Sequence, residues 1–298
     1  MEAAMNSTTI RVAILREKPR KRDNYSESYR KKLAAMDQAE ELIRSQFKVV
    51  RPNKADYLLV LGGDGAMTRM AKRYYNLGVP MFGINFGSRG FLLNEQVVLG
   101  NLAEAIVTAE WIDFPLLEAE VHLQNGTIKK VLAFNDVFTN AANKKNFQSA
   151  KHRLFINGHN VLGRTSSGRE IFYSGDGLIV CTAGGSTAYN KAAGGPIMNH
   201  KDESLGLTPV CPNWPTENFK PQMIPGDCEI TIEMIEDDKR QHVVCADSHT
   251  FTRVNKVVIR KTGKIARLGF RRDDTYMRKT LVLRFPWLDG QDINDIKM

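Results

Sequence analysis

Over the first third of the chain, short apolar runs alternate with amphipathic stretches. RVAIL (11–15), YLLVL (57–61) and VPMFGIN (79–85) read as strands buried on both faces. Between the first two, SESYRKKLAAMDQAEELIRSQF (26–47) carries apolar positions at helical spacing and opens on a capping Ser26. A helical pattern follows YLLVL as far as Tyr75, and another covers 97–110. Alternating strand and helix predicts a parallel sheet with helices on its faces.

The pattern then changes. EAEVHL (118–123), Asn125-Gly126 and IKKVLAFNDVF (128–138) predict a hairpin around a two-residue turn. RLFINGHNVLG, REIFYS, GLIVCT, CEITIEMI, HVVCA and KVVIRKT are short and strand-like, and helical pattern is confined to a turn or two after Ser186. The tail adds a strand candidate, LVLRF (281–285). The expected fold is α/β plus all-β. A Rossmann-like parallel α/β domain covers 1–112 and is joined by the tail 266–298. An antiparallel, β-sandwich-like domain covers 113–265. The chain shows no internal repeat, low-complexity stretch or Pro/Ser-rich linker.

Composition adds little to this picture except through charge and cysteine. The 298 residues suffice for two domains with separate cores. The four cysteines, Cys181, Cys211, Cys228 and Cys245, form no Cys-x-x-Cys pair, and no His-Glu-x-x-His occurs. A zinc site or disulfide framework is not expected, and a reducing, cytoplasmic location fits. Residues 1–10 lack the basic and apolar regions of a signal peptide, and no uncharged stretch is long enough to span a membrane. The net charge is +9, concentrated in 11–32 and 253–279. Such basic runs suit polyanions such as nucleotides, or are merely solvated faces. They carry no interleaved aromatic platform, so nucleic acid is not an expected partner, and without a spanning stretch neither is a membrane.

Three motifs carry chemistry. Gly62-Gly63-Asp64-Gly65 lies between a buried strand and a helix. Glycines there let the backbone approach phosphate, and helix-start N–H groups meet its oxygens. A carboxylate among them can take a hydroxyl proton or hold a phosphate-bound metal; it can also simply cap a strand-to-helix turn. The motif is neither a Walker loop nor Gly-x-Gly-x-x-Gly. The second motif runs from Asp176-Gly177 through Gly184-Gly185-Ser186-Thr187-Ala188-Tyr189 to Gly194-Gly195. Its hydroxyls and N–H groups suit a polar or anionic ligand, or an ordinary helix cap. The third is Asn135-Asp136 inside FNDVF. A polar pair in an apolar strand must find partners or face a cleft. The amide can read a purine edge, and the carboxylate can accept ribose hydroxyls.

In combination the motifs are far more specific. GGDG, then Gly83-Ile84-Asn85 and Gly90-Phe91-Leu92, then Asn135-Asp136, GDGLIV, GGSTAY, Ala193-Gly194-Gly195-Pro196-Ile197 and Leu207-Thr208-Pro209, in this order, resemble the NAD kinase family over about residues 57–225. The resemblance implies NAD bound in a cleft between an α/β and a β-rich domain. It implies ATP (or polyphosphate) as phosphoryl donor, a divalent metal, Mg²⁺ by preference, and assembly into homodimers or homotetramers. It makes Asp64 the general base on the ribose 2′-hydroxyl, with Gly62, Gly63 and Gly65 along the phosphates. It gives Asn135 and Asp136 the adenosine part and Asp176 the other end of the dinucleotide. Thr187, Ala188, Tyr189, Asn190 and Ala192 would line the cleft, with His249 as a further ligand contact. No protein-only metal site is implied.

The chain departs from the family pattern at four places. Asp136 replaces a usual Glu, Phe86-Gly87-Ser88-Arg89 replaces Thr-Gly-x-Leu, Ala183-Gly184 replaces Pro-Thr or Pro-Ser, and Ser174 replaces a frequent basic residue. These bear on affinity, donor choice and regulation. Two other readings remain. One is a lipid or sugar-phosphate kinase that shares the GGDG turn, which the GGSTAY segment opposes. The other is a non-catalytic NAD or nucleic-acid binder, which Asp64 opposes.

Overall fold

The computed structural model describes residues 10–16, 26–88, 90–141, 148–215, 219–236 and 240–289. The middle of the N-terminal basic run, 17–25, and Arg89 lie outside them. The chain divides into two compact units, Met1–Phe114 with Ile265–Met298, and Pro115–Lys264.

The first unit is built on a parallel sheet. Strands β1 (Arg11–Arg16), β2 (Lys48–Val49), β3 (Tyr57–Gly62) and β4 (Met81–Asn85) stand in the order β4-β3-β1-β2. The last residues of a long strand (Val254–Phe270, β17 below) add beside β4, in parallel, with Leu268 opposite Met81. All five residues of β4 are buried, as a sheet covered on both faces requires. Helix α1 (Glu27–Gln46) is capped by Ser26, whose hydroxyl accepts the N–H of Tyr29 at 3.3 Å. It buries Met36, Ala39 and Ile43, spaced by three and four residues, in a core with Leu59, Leu61, Phe82 and Ile84. Helix α2 (Asp64–Tyr74) starts directly after β3 and buries Ala66, Met67 and Ala71. Its Met67 lies over Gly83, where an added Cβ would sit 2.5 Å from the methionine methyl.

Two sequence expectations are corrected here. Residues 97–110 are not one helix. A 3-10 helix (Gln96–Asn101) leads into a short α3 (Leu102–Val107), and strand β5 (Glu110–Leu123) begins by Glu110. The LVLRF segment is not a strand but part of helix α5 (Tyr276–Arg284). Thr275 caps that helix by accepting the N–H of Arg278 at 3.1 Å, and Tyr276, Thr280 and Leu281 are its buried positions. A cap and a helically spaced buried face outweigh the strand preference of Leu-Val-Leu.

The second unit has two sheets. One contains β5, β6 (Ile128–Ala133), β8 (Ala150–Ile156), β9 (His159–Asn160), β10 (Tyr173–Gly175), β14 (Ile230–Met234) and β17 (Val254–Phe270). The other runs β13 (Gln222–Ile224), β12 (Leu205–Val210), β11 (Gly177–Cys181), β7 (Asp136–Ala141), β15 (His242–Ala246), β16 (His249–Thr252). All pairings in the six-stranded sheet are antiparallel. The two inner faces share one core, including Leu117, Val121, Ile230 and Val257 from the first sheet and Val137, Val180, Leu207 and Val244 from the second. A short helix α4 (Tyr189–Ala192) follows β11. IKKVLAFNDVF is broken rather than continuous: β6 ends at Ala133, β7 starts at Asp136, and the two belong to different sheets.

Candidate functional site

In the first unit the site grows from the end of β3. Gly63 caps α2 without a side chain; the Ala66 N–H turns back to the Gly63 carbonyl at 2.8 Å, while the N–H groups of Asp64 and Gly65 have no intrahelical acceptor and present positive dipole ends. An added Cβ on Gly62 would lie 2.6 Å from the Ala66 methyl group, and one on Gly87, in the segment after β4, would lie 3.2 Å from Gly63 Cα. The glycines let the GGDG turn sit tightly against its own helix and against the segment after β4. Gly65 is exposed at the helix start.

Asp64 does not cap its own helix. Its carboxylate accepts the backbone N–H of Phe91 at 3.0 Å and of Leu92 at 2.7 Å. Each oxygen carries two lone-pair sites, so one site per oxygen remains for an incoming hydroxyl. The turn that supplies those amides is itself fixed. Gly90 has φ of +63° and packs on Asn85, whose side-chain oxygen accepts the N–H of Gly87 at 2.8 Å. The fully buried Asn94 donates to the carbonyls of Gly83 and Gly269, both at 3.0 Å.

In the second unit the strand period of two builds the site. Val137 points into the core, so Asp136 and Phe138 point to the opposite face of the sheet. In register beside them stand Cys181, opposite Asp136, and Cys245, opposite Phe138. On this outer face Tyr189 meets Phe138 edge to face, with ring centroids 4.9 Å apart. Asp136 is only 4% exposed.

The break before β7 has a physical cause. Asp247, in the tight turn between β15 and β16 with φ of +47°, accepts the N–H of Phe134 at 2.8 Å and of Asn135 at 2.9 Å. Its own N–H donates to the Asp136 carbonyl at 3.1 Å. Thr182 donates to the Phe134 carbonyl at 3.3 Å. A Cβ on Gly185 would fall 1.8 Å from the Asn135 carbonyl oxygen, so only glycine lets the GGSTAY segment lie there. Asn135 and Asp136 are thereby joined to Thr187, Ala188 and Tyr189, all half-buried.

Asn190 is fully buried. It donates to the carbonyls of Ser186 at 3.3 Å and Pro196 at 2.9 Å, and accepts the Thr208 hydroxyl at 2.6 Å. These bonds make it the internal brace of the loop. Ala192 is exposed at the end of α4, and His249 is exposed at the start of β16.

Asp176 is exposed between β10 and β11. The Tyr173 hydroxyl fastens the next residue: it lies 2.7 Å from the Gly177 carbonyl and 2.6 Å from the Val210 carbonyl, and accepts the Gly177 N–H at 3.3 Å. The Cys211 thiol hydrogen-bonds Asp176, which raises its pKa. Burial, and then the charges of Asp176 and Asp136, raise that of the Tyr189 phenol. Burial and then Asp136 push up the Cys181 thiol. The face is electronegative and surrounded by neutral proton donors. That is the setting for a ligand that brings its own hydroxyl groups. Among the described residues, no cluster of three or more His, Cys, Asp or Glu stands ready to hold a metal.

Sequence reading missed Asp247 and Asn85 as organisers of these turns. Their signals, a polar residue in a tight turn and a polar strand end, are too common to single out.

The ATP-NAD kinase N-terminal domain family matches residues 6–107 and the ATP-NAD kinase C-terminal domain family matches 164–261. The NAD kinase of Rhizobium meliloti is 33% identical over 248 residues, 83% of this chain and 91% of the relative. This chain belongs to the NAD kinase family. The NAD kinase of Rickettsia bellii is 32% identical over 244 residues, covering 79% of this chain and 88% of its own. In fold the chain is similar to an NAD kinase from Archaeoglobus fulgidus solved with ATP, with a TM-score of 0.65 and 21% identity over 92% of this chain and 97% of that one. It is also similar to yeast NADH kinase solved with NADH, with a TM-score of 0.68 and 17% identity over 94% and 88%. NAD kinases are phosphotransferases with an alcohol acceptor, and in this member the GGDG turn lies within the matched N-terminal domain.

Proposed function

We propose that this chain transfers the terminal phosphoryl group of ATP to the 2′-hydroxyl of the adenosine ribose of NAD, giving NADP. The observation that carries this reading is the Asp64 carboxylate. Two backbone amides orient it at the first turn of a helix, and it keeps a lone pair free on each oxygen. The 2′-oxygen attacks the terminal phosphorus, the bond to the bridging oxygen breaks, ADP leaves, and the hydroxyl proton passes to Asp64. The glycine turn admits the phosphates, and the amides at the start of α2 stabilise their charge. Mg²⁺ enters with ATP as part of that substrate.

NAD is held by the second unit. Asp136 accepts ribose hydroxyls, Asn135 reads the adenine edge, and Asp176 meets the far end of the dinucleotide. Thr187, Ala188 and Tyr189 line the ligand, with His249 at its margin. The observation in favour is the electronegative outer face that gathers Asp136, Tyr189 and Phe138. The four unpaired cysteines fit a cytoplasmic location.

The chain acts as a homodimer or homotetramer. The six-stranded sheet ends on β13 and β16, whose edges a neighbouring copy can cover. Light scattering at micromolar concentration is expected to give at least twice the 33.5 kDa chain mass, and a fully active monomer would overturn this.

The deciding experiment incubates the purified chain with NAD, Mg²⁺ and either ATP or polyphosphate. NADP is read with an NADP-specific dehydrogenase. No NADP with either donor, together with turnover of a lipid or sugar phosphate, would replace the reading.

A further inference from the structure

The Asp64 carboxylate is held by amides of a turn that is not part of its own helix, so something must hold that turn. The support comes from the far end of the chain. The Lys279 ammonium on α5 is only 12% exposed as a side chain. It donates to the carbonyl of Gly90 at 3.4 Å and to the carbonyl of Leu93. Those carbonyls bracket the two residues whose amides bind Asp64. The same ammonium lies 3.2 Å from Asp274 and 5.8 Å from the Phe270 ring centroid. One turn of α5 earlier, Tyr276 meets the Phe91 ring edge to face at 5.4 Å. The 90–93 turn is therefore fixed by Lys279 through its carbonyls, by Tyr276 through its ring and by Asn94 just after it.

We propose that Lys279 is a positioning residue for phosphoryl transfer: it fixes the Gly90–Leu93 turn so that the Phe91 and Leu92 amides aim the Asp64 carboxylate. This inference rests on the reading of Asp64 as the base. Three features make Lys279 more than a surface cation. It is largely shielded from water, so its bonds to carbonyls are not diluted by solvent. It donates to two carbonyls of one turn, which fixes the orientation of that turn as well as its distance. A carbonyl polarised by a cation also makes the amides of the same turn firmer donors, because hydrogen-bonded peptide groups reinforce one another. Small displacements of a reacting group are costly in rate: a misplacement of about 1 Å can lower it by about a hundredfold. Its partners, the Gly90 and Leu93 carbonyls and Asp274, are none of the groups assigned to NAD or ATP.

The test is Lys279→Met, which keeps the length of the stem and removes charge and donors. The expected result is a fall in kcat of about ten- to a hundredfold, with KM for NAD and ATP within about threefold. In an Asp64→Asn background the same substitution should lower the residual rate by less than about twofold, because residues acting as a unit are not additive. Hydrogen exchange at the Phe91 and Leu92 amides should quicken by about tenfold while that of β14 is unchanged. An unchanged kcat in a folded variant, or a full further loss in the Asp64→Asn background, would overturn the proposal. So would unchanged exchange at both amides. If Lys279→Met does not fold, Lys279→Gln, which keeps a neutral donor, takes its place. A smaller loss of kcat at constant KM supports the role, and wild-type kcat refutes it. The exchange measurement needs no turnover. A wild-type chain that makes no NADP would therefore sink the functional reading while leaving the support of the turn by Lys279 open to its own test.

Discussion

The Asp247 carboxylate accepts the N–H of Asn135 at 2.9 Å, joining the turn between β15 and β16 to the start of β7. This single side chain ends one strand and sets the polar pair that follows. Asp247→Ala leaves the Phe134 and Asn135 amides without their acceptor. The expected outcome is a loss of about 1–3 kcal/mol in stability. KM for NAD should rise at least about tenfold while kcat changes less, as for a lost binding element. Urea unfolding and steady-state kinetics check both.

Asp64→Asn should lower kcat by about 10²–10⁴ with NAD affinity within about tenfold. The amide keeps one acceptor oxygen for the two backbone N–H groups and cannot take up the proton. A kcat within about threefold of wild type would remove Asp64 from the chemistry.

Asp136→Ala should raise KM for NAD more than it lowers kcat, because the role assigned to it is binding. Asp136→Glu tests the room on the outer face, since the added methylene must fit beside Cys181 and Cys245. Retained activity shows that the face adjusts. Equal falls in kcat and kcat/KM for the alanine variant would count against a binding role.

Gly185→Ala puts a methyl group 1.8 Å from a backbone oxygen, which no side-chain rotation relieves. The loop or β7 must move. The expected result is a lower thermal midpoint together with weakened NAD binding, read by calorimetry and fluorescence titration.

Acid sensitivity should originate in the core of the second unit. His152 is fully buried, 3.0 Å from the Thr139 hydroxyl, stacked on Tyr173 and next to His242. Burial, and then the neighbouring His242, hold its pKa well below the ordinary value. The unfolded chain therefore binds the extra proton first. Stability is present above the ordinary histidine pKa of about 6.5 and is lost as pH falls below it, by up to about 1.4 kcal/mol per pH unit for one group. His152→Gln should show a shallower dependence between pH 7 and pH 5 in urea unfolding. Parallel curves for the two proteins would refute this origin.

Much of this protein was written in its pattern. Runs such as YLLVL and GLIVC are strands because a sheet covered on both faces needs uninterrupted apolar residues. SESYRKKLAAMDQAEELIRSQF is a helix because its cap and its apolar spacing agree. The order of the glycine motifs identified the family, because backbone that must approach phosphate or another segment admits no side chain. Three things needed the folded chain. LVLRF became helix because its neighbours Thr275 and Tyr276 supply a cap and a buried anchor, and local strand preference is too weak to resist them. FNDVF broke because an acceptor 112 residues away, Asp247, competes for its amides. Asp64 is aimed by Phe91 and Leu92, and their turn is held by Lys279, through backbone groups that every residue possesses. Sequence specifies which residues are able to form such bonds; only the tertiary structure decides which backbone groups come within reach of them.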